Sequence, residues 1–401
     1  MIPEPVRQSL RGRSFAETRS AILDLIRSSG EITRVDLARR SGLTEATISK
    51  VVTDLMASEL ISASGRAQST GGKPATFLRL DTSRLGAIGI VLDLPHVVIV
   101  LCAIDGSVVD LATIPATRDE EPEVVLKRIA AAIGGLLDVN GTTPDRVIGI
   151  GIALSGRRSY RGPNPLDWWE NMPIDEHLRA LTGIDVLLEN DANCAALHEF
   201  WSGGIPAGQD FAVVYAADGI GAGIVINGDV YRGRSSHAGE IGHVYVDRNE
   251  TPCWCGRRGC LEVTGTPQAV ARRARDMPEL FSDLGVDANG STRAIYAALA
   301  ERASVGEPRE FELITEAAEY VATAVVGMAN TLDLGLVILA GPGFAGAGEI
   351  YLEAVRGALE TTYIRSVHQV EVRLRSVHPN IAALGAASLV LHRRLTPHHM
   401  A

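Results

Sequence analysis

Four residues have the types and spacing for metal chemistry: His243, and the three cysteines of Cys253-Trp254-Cys255-Gly256-Arg257-Arg258-Gly259-Cys260. Three thiolates and one imidazole complete a tetrahedral Zn2+ set and leave no position for a reacting water, so the pattern predicts a closed, structural site. Gly256 and Gly259 allow the loop to turn tightly enough for the sulfurs to converge. Free cysteines on a surface loop are the plainer alternative. Cys102 and Cys194 stand far from this run and read as buried thiols without a role. Three clustered cysteines out of five suit a reducing compartment and a metal better than a disulfide framework.

The elements that must hold these residues belong to a long chain. At 401 residues, 46% hydrophobic and 21% charged, it is folded and too long for one ordinary domain. The net charge of -10 argues at first against nucleic acid, but it is unevenly spread. Residues 1–80 hold 12 Lys/Arg against 8 Asp/Glu, and the rest of the chain carries the acidic excess. A mildly basic end on an acidic body fits DNA contact at that end alone. The N-terminus has no apolar core, and the most apolar stretch, 86–104, is broken by Asp93, Pro95 and His96. A membrane span is therefore not expected, and the cytoplasm is.

The basic end has an ordered pattern. Phe15, Ile22, Leu25 and Ile26 form one helical stripe that stops near Gly30. Thr33 and Asp36 are spaced as a cap for a short second helix, and Gly42 suits a left-handed turn after it. Thr44 caps a third helix with Ile48, Val51, Val52 and Leu55 facing inward. That leaves Glu45, Thr47, Ser49 and Lys50 on an outer polar face. Two alternating segments, 60–63 and 76–80, flank a Gly-rich loop carrying Arg66 and Lys73. Helix, turn, helix and wing in that order predict a winged helix-turn-helix. Glu45, Thr47, Ser49 and Lys50 then approach DNA, with Arg66 and Lys73 on the wing. A packing module with an ordinary surface loop is the competing reading.

From about residue 83 strands alternate with helices, an α/β pattern with no visible internal repeat. Expected elements include a helix over 122–138, a strand over 147–154, a strand over 186–189 leading into a helix from Ala192, and a buried strand over 336–340. The division is 1–82 for the DNA-binding domain and 83–401 for an effector domain.

Four motifs then stand out: Glu189-Asn190-Asp191-Ala192-Asn193, Asp218-Gly219-Ile220-Gly221-Ala222-Gly223, Glu240-Ile241-Gly242-His243, and the cysteine run ending at Glu262. In these the chain resembles the ROK family of repressors, open reading frames and kinases, over almost its whole length. The resemblance implies a two-lobed, actin-like and ribonuclease H-like sugar-kinase fold with a sugar in the interlobe cleft. It implies sugar contacts by Asn164, Asn190, Asp191, Glu240, His243 and Glu262, with Asp191 matching the general base of the kinases. His243 would serve metal and sugar together. Plainer roles exist for each: Asn190 and Asp191 as helix caps, Glu240 and Glu262 as surface charges, Asn164 as a turn residue.

Against the kinase pattern, Val91, Asp93 and Pro95 stand where an acid, a glycine and a threonine handle Mg-ATP. Asp218 replaces a threonine facing phosphate. Valine cannot hold metal-bound water, a carboxylate repels phosphate, and proline offers no N–H. The expectation is a sugar-responsive DNA-binding regulator, a repressor of carbohydrate metabolism that has lost kinase activity. Its partners are operator DNA and a sugar or sugar phosphate, and its state is a homodimer or homotetramer. An active kinase that also binds DNA is the alternative, and a regulator answering to another ligand is a third.

Overall fold

The computed structural model describes residues 13–66, 76–93, 96–116, 120–154, 172–202, 204–205, 208–375 and 380–396. Helix α1 (Phe15–Ser29) starts at a reciprocal cap in which Ser14 Oγ accepts from the Glu17 amide and Glu17 Oε2 from that of Ser14. β1 (Ile32–Thr33), α2 (Arg34–Ser41) and α3 (Glu45–Ala57) come next, with Thr33 and Thr44 capping the two helices as their positions predict. Gly42 turns between them at φ +68°. β2 (Ile61–Arg66) and β3 (Thr76–Leu80) pair antiparallel to form the base of the wing, with β1 on the far side of β3. Ile48, Val51, Val52 and Leu55 are fully buried. Phe15 departs from its expected stripe. It is 42% exposed and lies beneath the Lys50 ammonium, 5.1 Å from the ring centroid.

Next, β4 (Gly86–Asp93), β5 (His96–Ala103) and β6 (Val108–Pro115) form an antiparallel meander. After α4 (Pro122–Val139), β7 (Val147–Leu154) joins β4 in parallel; after α5 (Ile174–Thr182), β8 (Val186–Asn190) joins β7. The sheet order is β6-β5-β4-β7-β8, and α6 (Asp191–Ser202) leaves β8 directly. A second set repeats the plan: β9 (Phe211–Ala216), β10 (Ile220–Ile226) and β11 (Asp229–Val230). Helices α7 (Pro267–Arg275), α8 (Phe281–Leu284), α9 (Thr292–Ser304) and α10 (Pro308–Leu332) precede β12 (Leu336–Ala340), α11 (Gly348–Glu360) and β13 (Glu371–Leu374). The second sheet reads β11-β10-β9-β12-β13, so both place their strands in the order third, second, first, fourth, fifth. This duplication is invisible as sequence similarity.

α12 (Ile381–Leu395) returns to the first sheet. A Cβ on Gly89 or Gly151 would lie 1.8 Å from the carbonyl oxygen of Ala383 or Ala386, so β4 and β7 meet this helix backbone to backbone.

By packing, the described parts of 1–208, 227–229 and 382–401 form one unit, and those of 209–226 and 230–381 another. In the first, Ile22, Ile48, Leu55 and Leu78 of the N-terminal module share a core with Val100, Ile104, Leu384 and Val390. α4 and α5 cover the sheet through a separate core that includes Ile129, Ile133, Ile152 and Leu178. The second unit is centred on β9, β12, α9 and α10, with Val214, Leu299, Val321 and Ile338 fully buried. Among the described residues, no helix is long and apolar enough to cross a membrane.

Candidate metal centre, effector-binding groups and DNA-binding face

The four metal-type residues converge. The ligand atoms of His243, Cys253, Cys255 and Cys260 all lie within 4.8 Å of one another. Cys255 Sγ is 3.7 Å from Cys260 Sγ, and Cys253 Sγ is 3.8 Å from His243 Nδ1. A tetrahedral ion with metal–sulfur bonds of about 2.3 Å sets its sulfurs about 3.8 Å apart, so the spacing fits one ion. The loop is built for this. The Cys253 amide donates to the Arg257 carbonyl and the Gly256 amide to that of Cys253, closing a tight turn. Gly259 takes φ +73°, and a Cβ there would lie 2.5 Å from the Asp247 carbonyl oxygen and from the Tyr245 ring. Trp254 lies edge-on to His243 at 4.8 Å.

The thiols behave unequally without a cation. Burial, aided by hydrogen bonds with the neighbouring cysteines, pushes Cys260 up to about 12. Burial also raises Cys253. At Cys255 burial acts upward too, but the Arg257 amide and the adjoining thiols outweigh it and the net direction is down. Three thiolates cannot crowd together unless a positive ion offsets their repulsion.

Sequence reasoning missed Asp247, which organises the approach to Cys253. It is 2% exposed, and it accepts hydrogen bonds from the Asn249 amide at 2.8 Å and the Thr251 hydroxyl at 2.7 Å. Burial pushes its carboxyl up, yet these bonds and one from Tyr320 outweigh burial and hold it below the usual range. The only sequence signal is the spacing Asp247-Arg248-Asn249-Glu250-Thr251, an ordinary Asx-type turn.

The sugar-type residues fall into two groups, one per unit. In the first, Asn190 and Asp191 sit where β8 passes into α6. Asn190 Oδ1 accepts from the amides of Ala192 and Asn193, a capping role. Asp191 Oδ1 accepts from Asn190 Nδ2 at 3.1 Å and the Ala192 amide at 2.8 Å. In the second unit, Glu240 precedes the helical turn Ile241–His243, and Glu262 lies in the turn Leu261–Val263. The Leu261 amide donates to the Val244 carbonyl, which ties the two turns together. Glu262 Oε2 accepts from the Ile220 amide at 3.2 Å, and its carboxylate fills the space where Gly219 and Gly242 lack a side chain. Glu262 is thus no plain surface charge. Asn164 lies outside the described residues.

Of the phosphate-loop positions, Val91 pairs with Val98 and Ala153 and packs on the core beneath the N-terminal module. Asp218 is exposed and 3.7 Å from Arg293. Asp93 ends β4, but its side chain lies outside the described residues, as does Pro95. Cys102 and Cys194 are buried, and burial pushes the Cys102 thiol up to about 12.

On α3, Glu45, Ser49 and Lys50 are exposed, while Thr47 is half-buried with its hydroxyl 2.9 Å from that of Thr44. Lys73 and the Arg66 side chain lie outside the described residues.

Known proteins match this arrangement. The model of the ROK family matches residues 88–393, and a winged helix-turn-helix DNA-binding model matches 15–62. The chain belongs to the ROK family, with a mixed α/β, sugar-kinase-like body and an N-terminal winged helix-turn-helix. It is 25% identical over 376 residues to a putative xylose repressor of Caldicellulosiruptor sp. (strain Rt8B.4), covering 92% of this chain and 94% of that one. It is 31% identical over 296 residues to a glucokinase of Thermotoga maritima, covering 72% of this chain and 92% of the enzyme. A ROK family transcriptional regulator homologous to the Escherichia coli MLC protein shares the fold at a TM-score of 0.72 and 22% identity, covering 96% of this chain and 98% of that one.

Proposed function

We propose that this protein is a sugar-responsive DNA-binding transcriptional repressor of carbohydrate metabolism that has lost kinase activity. One observation carries the reading: a winged helix-turn-helix and a ROK body are joined in one chain, and a xylose repressor matches it nearly end to end. Residues 1–82 act as the DNA-binding domain and 83–401 as the effector domain, in a cytoplasmic homodimer or homotetramer on a two-fold operator. Glu45, Thr47, Ser49 and Lys50 face DNA, with Arg66 and Lys73 on the wing. Asn164, Asn190, Asp191, Glu240, His243 and Glu262 take the hydroxyls of a sugar or sugar phosphate, since carboxylates and amides pair with vicinal hydroxyls and reject analogues that leave one of them unpaired.

His243, Cys253, Cys255 and Cys260 hold Zn2+. The ion supplies cross-linking and charge compensation, with no open position for chemistry. Asp191 is a vestigial base, since Val91 supplies no acid and Asp218 sets a carboxylate against phosphate.

Gel-shift titration of the purified protein with genomic fragments, repeated over a panel of monosaccharides, N-acetyl sugars and their phosphates, tests this. A specific fragment retained in a sugar-dependent way is expected; no specific retention under any condition overturns the reading. The second reading, an active kinase, is favoured by the retained Asp191 and the 31% identity to a glucokinase. ATP-dependent turnover of a sugar, abolished by Asp191→Asn, would establish it.

A further inference from the structure

The C-terminal end of α6 is closed by a charged pair from the DNA-binding module. Arg27, in the last turn of α1, donates from Nη1 to the carbonyl oxygens of Phe200 and Trp201, both at 2.6 Å. Its guanidinium lies over both rings, 4.7 Å from the Phe200 centroid and 5.1 Å from that of Trp201. Asp24, one turn earlier, accepts from Nε at 2.9 Å and Nη2 at 2.7 Å. The Arg27 side chain is 4% exposed and that of Asp24 10%.

Burying a charged pair is a poor way to gain adhesion, because desolvation offsets much of the attraction. What it adds is direction. The guanidinium is a rigid fork, aimed here at the last carbonyls of one helix, where the dipole is negative. The neighbouring contacts of Ile22 and Ile26 are apolar and non-directional, so they tolerate sliding. Trp201 is itself fixed, donating from Nε1 to the Ile104 carbonyl at 2.9 Å. The His392 ring packs edge-on against Phe200 at 5.4 Å. Between its ends α6 is buried from Ala192 to Leu197, so its 12 residues act as a packed rod about 18 Å long.

We propose that Arg27, held by Asp24, is the positioning residue that couples effector occupancy at the Asn190–Asp191 end of α6 to the orientation of the DNA-binding module. The proposal rests on the reading of Asn190 and Asp191 as sugar-contacting. A shift or rotation of α6 at its first turn moves the carbonyls of Phe200 and Trp201, and the Arg27 fork transmits it to α1. Two placements of the helix that differ in sugar affinity thereby become two placements of the module. Coupling of this kind is reciprocal, so DNA must change the state of α6 as well.

The test uses full-length protein and the operator-bearing fragment. Fluorescence anisotropy gives DNA affinity with and without saturating sugar for wild type, Arg27→Met, Arg27→Lys and Asp24→Asn. Wild type is expected to show a ratio on the order of tenfold or more. In Arg27→Met the ratio falls to about one or two while sugar affinity is kept, and the two milder variants fall between. They also carry the test if Arg27→Met does not fold. A merely structural role lowers both DNA affinities alike and leaves the wild-type ratio, which overturns the proposal. Hydrogen exchange at the amides of 197–202 is the second readout. Operator binding alters it in wild type and not in Arg27→Met; no change in wild type also overturns the coupling. Exchange coupling present while DNA affinity ignores every sugar supports the mechanical link and sinks the sugar reading instead.

Discussion

The two five-stranded sheets share one strand order and differ in the segment that leaves the third strand. After β6 comes α4, whose 18 residues include six buried ones, all large and apolar: Val125, Leu126, Ile129, Ile133, Leu136 and Leu137. At about 1.5–3 kcal/mol for each buried side chain, this helix holds itself to the sheet. After β11 comes irregular chain. The 30 residues from Tyr231 to Cys260 also bury six, but these are Ile241, two glycines, Asp247, Cys253 and Cys260. Such a segment cannot offset its conformational entropy by burial, so it needs cross-links. The Asp247 bonds are such links, and the cysteine–histidine cluster is placed to add another when it holds an ion. One frame can thus be secured by a hydrophobic face or, as proposed for the second sheet's segment, by a metal ion.

That contrast can be broken most directly by removing metal. Purified protein is expected to hold one zinc per chain by elemental mass spectrometry. A strong chelator should lower the unfolding midpoint by on the order of 10 °C. The raised Cys253 and Cys260 thiols must release protons on coordination, so apparent zinc affinity rises with pH. An unchanged midpoint after complete metal removal would break the contrast. Asp247→Ala sharpens it. Zinc affinity should fall about 10- to 100-fold in competition with a chromogenic chelator, with the ligands all present. Smallest is an effect in the DNA-binding module. Lys50→Ala should weaken DNA binding and reduce the salt slope by about one, without altering zinc content. The same slope in both proteins would remove Lys50 from the phosphate contacts.

Much of this was legible in the sequence where one force decides the outcome. Val147–Leu154 and Leu336–Ala340 are apolar runs between turn residues, and both are strands with those bounds. Thr33 and Thr44 announce helix starts because their hydroxyls satisfy amides that would otherwise lack partners. The cysteine spacing specifies its cluster because coordination geometry is narrow. The duplicated sheet was not legible, since burial dictates a pattern of apolar positions and not residue identities. Nor was the Asp24–Arg27 pair. At i,i+3 on a helix it looks like a solvated ion pair, and its partner carbonyls lie more than 170 residues away. Asp247 was missed for a similar reason, because its burial depends on the fold around it.

The floor under the DNA-binding module includes Ala383, Leu384, Ala387, Val390 and Leu391 of α12, more than 300 residues after α3. At about 5–20 residues per second, a ribosome that has finished the recognition helix works for roughly 15 to 65 seconds more before that floor exists. A nascent chain therefore carries an operator-reading surface before it has a seat for it. Until translation reaches α12, the shared core beneath the module is incomplete.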